Sequence, residues 1–512
     1  MSIPLYTPAQ VREMDRRAFA RGVSGGALME RAAGHLARGV VDVGGRGYGL
    51  RVGILAGRGN NGGDGLAAAR RLLDAGAAPR VCLVGGAGDL SPDAAEHLAR
   101  YHAAGGRLVA SVGAALAGAD VGVDCLLGTG ASGQPREPYR SAVGELNRSA
   151  SFSGGMAVVA CDVPTGVDAD TGAVPGEAVR ADLTVSLGAH KRGLHLWPAR
   201  GHCGRLVLGD LGIADGADAP VATVLERADV AALLPRLEPT AHKRTRGVVV
   251  ALAGSAGMSG AAALVARGAM AAGAGLVTLA TSGAVLPLVA PAVPEALTAA
   301  LPDDDPDAAF ARLAAALEGA DALAVGPGLG RSEAAVALVR RVVAEVDVPL
   351  VLDADGINAF SAEADPARPD TLADHASTLL VLTPHAGELA RLLPGGRDEA
   401  WARRATLVPE RAKGWGAVVV AKGAGSLTAA PDGRVWVNPT GGPALATGGT
   451  GDVLTGMVAT LLAQRPEAES VAVAVYVHGL AGELAASRGE RSVTALDVAG
   501  AVPAAMRSET GQ

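Results

Sequence analysis

The chain is built on one repeated local pattern. A short run of Val, Leu, Ile and Ala stops at a loop of Gly, Asp or Asn, and a stretch with helical spacing follows. RVGILAG (Arg51–Gly57), the loop RGNNGGDG and the segment LAAARRLLDAG ending on Gly76 make the first full unit. Apolar runs this short and continuous predict strands buried on both faces. Strands alternating with helices pair as parallel βαβ units with right-handed crossovers. The pattern returns at ADVGVDCLLGTG and GMAVVACDVPTGVD and slackens from Asp210 to Arg246. It resumes at GVVVALAG, DALAVGPGLG, VPLVLDADGIN, TLLVLTPHAGE and GAVVVAKGAGS. A boundary near Gly216 therefore predicts two α/β domains, residues 1–215 and 216–512, and a chain of 512 residues is long enough for both.

Composition says what fills these domains. Apolar residues make up 49% of the chain but aromatics only 3%, so the cores are expected to be Val, Leu and Ala packed closely. A net charge of −7 argues against nucleic acid or an anionic membrane as partner. The four cysteines (Cys82, Cys125, Cys161, Cys203) form no CxxC and the ten histidines no HExxH, which argues against disulfides and a metal cage. Residues 1–50 read as helical, with Leu28, Met29, Ala32, Ala33 and Leu36 as one apolar stripe. The N-terminus reads as a capped helix rather than a secretory leader. The Ala/Gly-rich stretch 248–301 is broken by Arg267 and by prolines, so no membrane span is expected. The expectation is a cytoplasmic protein.

The loop after the first strand satisfies GxGxxG through Gly57, Gly59 and Gly62. The dinucleotide fingerprint also needs an acid at the end of the next strand, and RVCLVGG has none. Asn60, Asn61 and Asp64 remain, whose oxygens suit a hard cation or a sugar hydroxyl, or only brace the loop as Asx turns. Two further strand ends favour a site. Asp124 precedes Gly128, Thr129 and Gly130, and Asp162 precedes Thr165 and Gly166. The carboxyl ends of strands in an open parallel sheet line one crevice, so Asn61, Asp124, Asp162 and Thr165 are expected to meet. Lys191 is either a cationic contact there or a surface lysine.

The second half carries a denser cluster, NPTGGPALATGGTGDVLTGMVATLLAQ, from Asn438 to Gln464. Glycine-rich backbone entering a helix presents free N–H groups to an anion. Asp452 sits at that helix start, either as a cap or as a base aimed at what the cradle holds. Lys422–Ser426 (KGAGS) is a second backbone cradle, not a Walker loop. His385 and Glu388 open another helix. Glu388 either holds a Mg²⁺ that bridges phosphates or is a first-turn acid favoured by the helix dipole.

These motifs carry a resemblance. GRGNNGGDG, DCLLGTG and DVPTGVD, in that order, resemble the NAD(P)H-hydrate epimerase domain. TPHAGE, KGAGS and NPTGGPALATGGTGDVLTG resemble the ADP/ATP-dependent NAD(P)H-hydrate dehydratase. Together they cover nearly the whole chain, as in the fused bifunctional repair enzymes. The resemblance implies an N-terminal Rossmann-like three-layer αβα domain and a C-terminal ribokinase-like αβα domain. It implies that Asn60, Asn61, Gly62, Gly63, Asp64, the loop Gly128, Thr129, Gly130, Ala131, Ser132, Gly133 and Gln134, and Asp162 contact the hydrated nucleotide. It implies K⁺ on Asn61, Asp124 and Thr165, the threonine standing where serine is common.

In the second domain the resemblance puts Ala261, Gly328, His385 and Asp452 on the hydrate. Lys422, Gly423, Ala424, Gly425, Ser426 and Gly451 would hold the nucleotide, brought as ADP with Mg²⁺. Asp452 would activate the C6 hydroxyl of the S epimer to take phosphate from ADP. Elimination then returns NAD(P)H and leaves AMP and phosphate. Asp162 is the candidate for acid–base work in R/S epimerisation. The implied partners are small molecules (hydrated NADH and NADPH, ADP), with homo-oligomer assembly through the second domain. The alternative is a ribokinase-type small-molecule kinase with a non-catalytic first domain.

Overall fold

The computed structural model describes residues 2–86, 88–151, 155–361, 370–393, 396–487 and 489–510. Two compact units divide the chain, one spanning Pro4–Ala222 and the other carrying Thr223–Gln512. Of the slackened stretch, residues 223–246 belong to the second unit, and residues 210–222 stay with the first. There Asp215 pairs with Arg17 at 2.9 Å, and the Val221 N–H donates to the Leu5 carbonyl at 2.9 Å.

The strands of the first unit are β1 (Ile3–Tyr6), β2 (Arg51–Ala56), β3 (Ala78–Leu83), β4 (Val121–Cys125), β5 (Ala157–Cys161), β6 (Leu183–Leu187), β7 (His190–Lys191) and β8 (Arg205–Gly209). Six of them form a parallel sheet in the order β3-β2-β4-β5-β6-β8. Every residue of β4 and β6 is buried, as expected of continuous apolar runs. Residues 1–50 are not helical throughout. They begin with β1, which pairs in parallel with β7; four residues, IPLY, carry too little periodicity to reveal a strand. The Leu28–Leu36 stripe lies buried on the helix Gly25–Gly44. All four cysteines are buried and free.

The second unit holds β9 (Ala222–Val224), β10 (Val248–Leu252), β11 (Leu276–Ser282), β12 (Leu297–Leu301), β13 (Ala322–Val325), β14 (Leu350–Leu352), β15 (Leu380–Leu382), β16 (Val418–Ala421), β17 (Leu427–Ala429) and β18 (Val435–Val437). Their order is β12-β11-β10-β13-β14-β15-β16-β17-β18-β9, parallel as far as β16, antiparallel from β16 to β18, and parallel again between β18 and β9. Among the described residues no helix is long and apolar enough to cross a membrane.

Strand order reverses once in each sheet, between β2 and β4 and between β10 and β13. Loops leave such a reversal in opposite directions and open a crevice at the carboxyl ends. Both candidate sites lie at these ends.

Candidate functional site

In the first unit the loops after β2, β4 and β5 border a cavity of about 620 Å³, lined by Asn60, Asn61, Asp64, Gly128–Ala131, Asp162 and Lys191. A Cβ placed on Gly128 would lie 3.4 Å from the Asn61 Cβ and 3.6 Å from Asp162 Oδ2, so the three strand ends converge there. Asp162 has φ +66°, a left-handed conformation rare outside glycine. Its Oδ1 accepts from the Leu187 N–H at 3.1 Å and from the Lys191 ammonium. Lys191 is fully buried and also donates to the Leu187 carbonyl at 2.5 Å. It is therefore a contact of Asp162 and not a surface lysine. Burial pushes Asp64 well above the usual carboxyl range, and Asp162 and Asp15 add to the rise.

Asp124 is buried behind this cavity. Its Oδ2 accepts from the Thr165 N–H at 2.7 Å, and its Oδ1 from the Thr165 hydroxyl at 2.8 Å. Burial pushes its pKa up to about 6, against these hydrogen bonds. Both side-chain polar atoms of Asn61 are buried without a partner. A buried carboxamide left unpaired costs about 1–3 kcal/mol, so a ligand that met Asn61 would offset that cost.

Not all of the expected residues meet here. Gly62 and Gly63 face inward: added Cβ atoms would press on the Gly57 backbone and, at 2.7 Å, on the Met29 thioether. They let the helix Asn60–Asp74 pack closely. Ser132, Gly133 and Gln134 are exposed and do not line the cavity. Asp15, which does, gave no sequence signal, because REMDRR reads as the solvated face of a helix.

In the second unit the helix Thr450–Gln464 starts after Gly449, which takes φ +89°. Asp452 lies in its first turn. Lys422, just past β16, donates to Asp353 Oδ1 at 2.6 Å, and the Thr455 hydroxyl donates to Asp353 Oδ2 at 2.7 Å. A Cβ on Gly451 would lie 3.2 Å from Lys422 Nζ. Burial pushes Asp452 up to about 7; Asp353 and Glu388 raise it further and Lys422 opposes them. Burial pulls Lys422 down, but Asp353, Glu388 and Asp452 outweigh it and its pKa ends raised.

The Lys422 N–H donates to the Pro384 carbonyl at 2.9 Å, which brings His385 alongside. His385 caps its helix, its Nδ1 accepting from Gly387 and Glu388 N–H groups, while Glu388 Oε2 accepts from the His385 N–H at 2.8 Å. Glu388 is thus the first-turn acid of a capping box, buried beside Lys422. Gly328 and Ala261 touch: a Cβ on Gly328, which takes φ +64°, would lie 2.9 Å from the Ala261 Cβ. Asp353 was visible as a strand-end acid in VPLVLDADGIN, but only its salt bridge to Lys422 shows its place in the cluster.

Among the described residues no three His, Cys, Asp or Glu side chains form a metal cage. Asp353, Glu388 and Asp452 gather around Lys422, with Arg391 also acting on Glu388. That group of carboxylates suits a divalent ion held mainly by phosphate oxygens.

Comparison with known proteins follows this division. Residues 249–504 match the family model for NAD(P)H-hydrate dehydratase, and residues 25–193 match that for the YjeF-related protein N-terminus. The chain is 38% identical to the bifunctional NAD(P)H-hydrate repair enzyme of Moorella thermoacetica, over 90% of this chain and 88% of that one. It is 38% identical to the enzyme of the same description from Salinibacter ruber, over 99% and 97%. A solved ADP/ATP-dependent NAD(P)H-hydrate dehydratase from Bacillus subtilis, co-crystallized with ATP/Mg²⁺, is 32% identical, covering 56% of this chain and 98% of its own, with a TM-score of 0.48. Two family models in sequence and full-length relatives at this identity establish that the chain belongs to the family of bifunctional NAD(P)H-hydrate repair enzymes.

Proposed function

We propose that the chain repairs hydrated NADH and NADPH. The first unit interconverts the R and S epimers, and the second dehydrates the S epimer at the expense of ADP. One observation carries the second activity: the Lys422 ammonium, the Gly451 backbone and the Asp452 carboxyl converge at one helix start. A pKa near 7 makes Asp452 a stronger base than an ordinary carboxylate, while leaving roughly half of it ionised at neutral pH.

Asp452 takes the proton of the C6 hydroxyl, and that oxygen attacks the terminal phosphorus of ADP, releasing AMP. Lys422 and the Gly448–Gly451 amides face the negative charge that builds up. Phosphate then departs with the C6–O electron pair, assisted by the ring nitrogen. Loss of a C5 proton restores the ring double bond. Mg²⁺ arriving with the nucleotide would neutralise phosphate charge next to Asp353 and Glu388.

In the first unit Asp162, held by Lys191, does the acid–base work. The all-oxygen set of Asn61, Asp124 and Thr165 fits K⁺, and the unpartnered Asn61 carboxamide supports it.

The test is to supply mixed epimers of hydrated NADH with ADP and follow near-ultraviolet absorbance. Absorbance should return with equimolar AMP and phosphate. A stable phosphorylated product without absorbance would instead mark a small-molecule kinase.

A further inference from the structure

Gly423 in the Lys422–Ser426 loop has a neighbour outside both cradles. A Cβ built on it would lie 2.5 Å from Trp401 Cζ2 and closer still to Cη2. Carbon atoms do not approach this closely, so the indole edge lies directly against the Gly423 backbone. The contact is braced from behind. Trp401 belongs to the helix Arg397–Ala402, and the Arg404 guanidinium lies 4.4 Å over its ring. Arg404 is itself buried and donates to the Trp401 carbonyl at 2.8 Å. A tryptophan under a buried cation, tied to it through its own carbonyl, has little freedom to swing away.

The loop itself is light. The Ser426 hydroxyl accepts from the Gly423 N–H at 3.2 Å and donates to the Gly423 carbonyl at 3.0 Å. Gly423 does not adopt a left-handed φ, so its own backbone does not demand glycine. Among the described residues, the three atoms nearest to that Cβ all belong to the Trp401 indole.

Resting on the nucleotide role of this loop, we propose that Trp401 is a positioning residue for the adenine nucleotide, its indole edge holding the Gly423 backbone so that the Lys422–Ser426 amides are set before ADP arrives. A preset loop spends less binding free energy on ordering. The gain belongs to nucleotide binding and not to proton transfer at Asp452.

A double-mutant cycle on the full chain tests this, with ADP affinity by calorimetry and KM for ADP against kcat. Trp401→Phe keeps a ring beneath Arg404 but lacks the Cζ2–Cη2 edge. It should weaken ADP binding about 3–10-fold and raise KM for ADP to match, with kcat within about 2-fold. Gly423→Ala in the natural background should weaken ADP binding at least about 10-fold, because its methyl group strikes the indole. With Trp401→Phe already present, the same change should cost under about 2-fold. A Gly423→Ala penalty of equal size with and without the indole overturns the role of Trp401 while leaving the loop as the nucleotide site. ADP binding untouched by Gly423→Ala in the natural background overturns the nucleotide role of the loop, and the proposal with it. ADP should also quench intrinsic fluorescence less in Trp401→Phe than in the unaltered chain; an identical quench counts against the contact.

Discussion

At the residue scale, Asp452 couples activity to stability with opposite signs. Its folded pKa of about 7 lies above the unfolded value of about 3.9. The folded state therefore binds that proton more tightly, and ionising the group costs stability as pH climbs from about 4 to about 7. Asp452→Asn should abolish dehydration, a loss of at least about 10³-fold, while ADP binding persists. The same variant should be more stable at pH 8, on the order of 1–3 kcal/mol in thermal or denaturant unfolding, and unchanged at pH 4. Dehydration by the unaltered chain should fall as pH drops below about 7, because a protonated Asp452 accepts nothing. A flat profile from pH 6 to 8 would remove Asp452 as the base. Lys191 acts through pairing instead: with its ammonium gone, the Asp162 side chain loses a buried hydrogen-bond and ion-pair partner. Lys191→Met should cost about 3–5 kcal/mol and slow epimerisation. Adding Asp162→Asn should return part of that stability, and strict additivity would mean the two side chains do not interact.

Asp452 was legible because glycines and a helical stripe surround it in sequence. Lys191 was not, since nothing in AHKRGL distinguishes a buried lysine from a solvated one. Its burial depends on β7 folding back beside Asp162. Asp15 was hidden for the same reason, on a helix whose local pattern reads as surface.

At the scale of elements, the helix Thr450–Gln464 is held by glycine contacts against the helix Ser259–Ala271. A Cβ on Gly456 would meet the Val265 carbonyl and lie 2.7 Å from the Ala269 nitrogen, and one on Gly268 would strike the Val453 backbone. Backbone on both sides of each contact leaves no flexible side chain to yield. Gly456→Ala should therefore destabilise the second unit by about 2–4 kcal/mol. It should depress dehydration through displacement of the first turn that carries Asp452, with epimerisation untouched. An unfolding transition within 0.5 kcal/mol of the unaltered chain, as an order-of-magnitude bound, would mean the helices separate at no cost.

Most strands were readable as apolar runs between loops, because burial on both faces needs continuous Val, Leu and Ala. The strand β1 was not, being four residues long and paired with a segment far away in sequence. The motif glycines Gly62 and Gly63 are absent from the cavity lining, and their missing side chains permit close packing of the helix they open. A glycine in sequence does not say whether backbone or ligand occupies the space its missing side chain leaves.

At the scale of the whole molecule, each unit completes its own crevice from its own residues, within Pro4–Ala222 for the first and Thr223–Gln512 for the second. Neither borrows a residue from the other for the clusters described above. The two activities should then be separable by single substitutions. With mixed epimers and ADP, Asp162→Ala should restore absorbance rapidly only up to the S fraction of the substrate, then continue at the slow uncatalysed rate. Asp452→Asn should restore none, yet still bring an enriched epimer to its equilibrium ratio. The ion should divide the activities in the same way. Asn61, Asp124 and Thr165 all belong to the first unit, so replacing K⁺ with Na⁺ should slow epimerisation and leave dehydration of pure S epimer unchanged. Equal epimerisation in the two salts would remove the ion from the Asn61 site. A dehydration rate that followed K⁺ as closely as epimerisation would show that the ion acts at the second crevice as well.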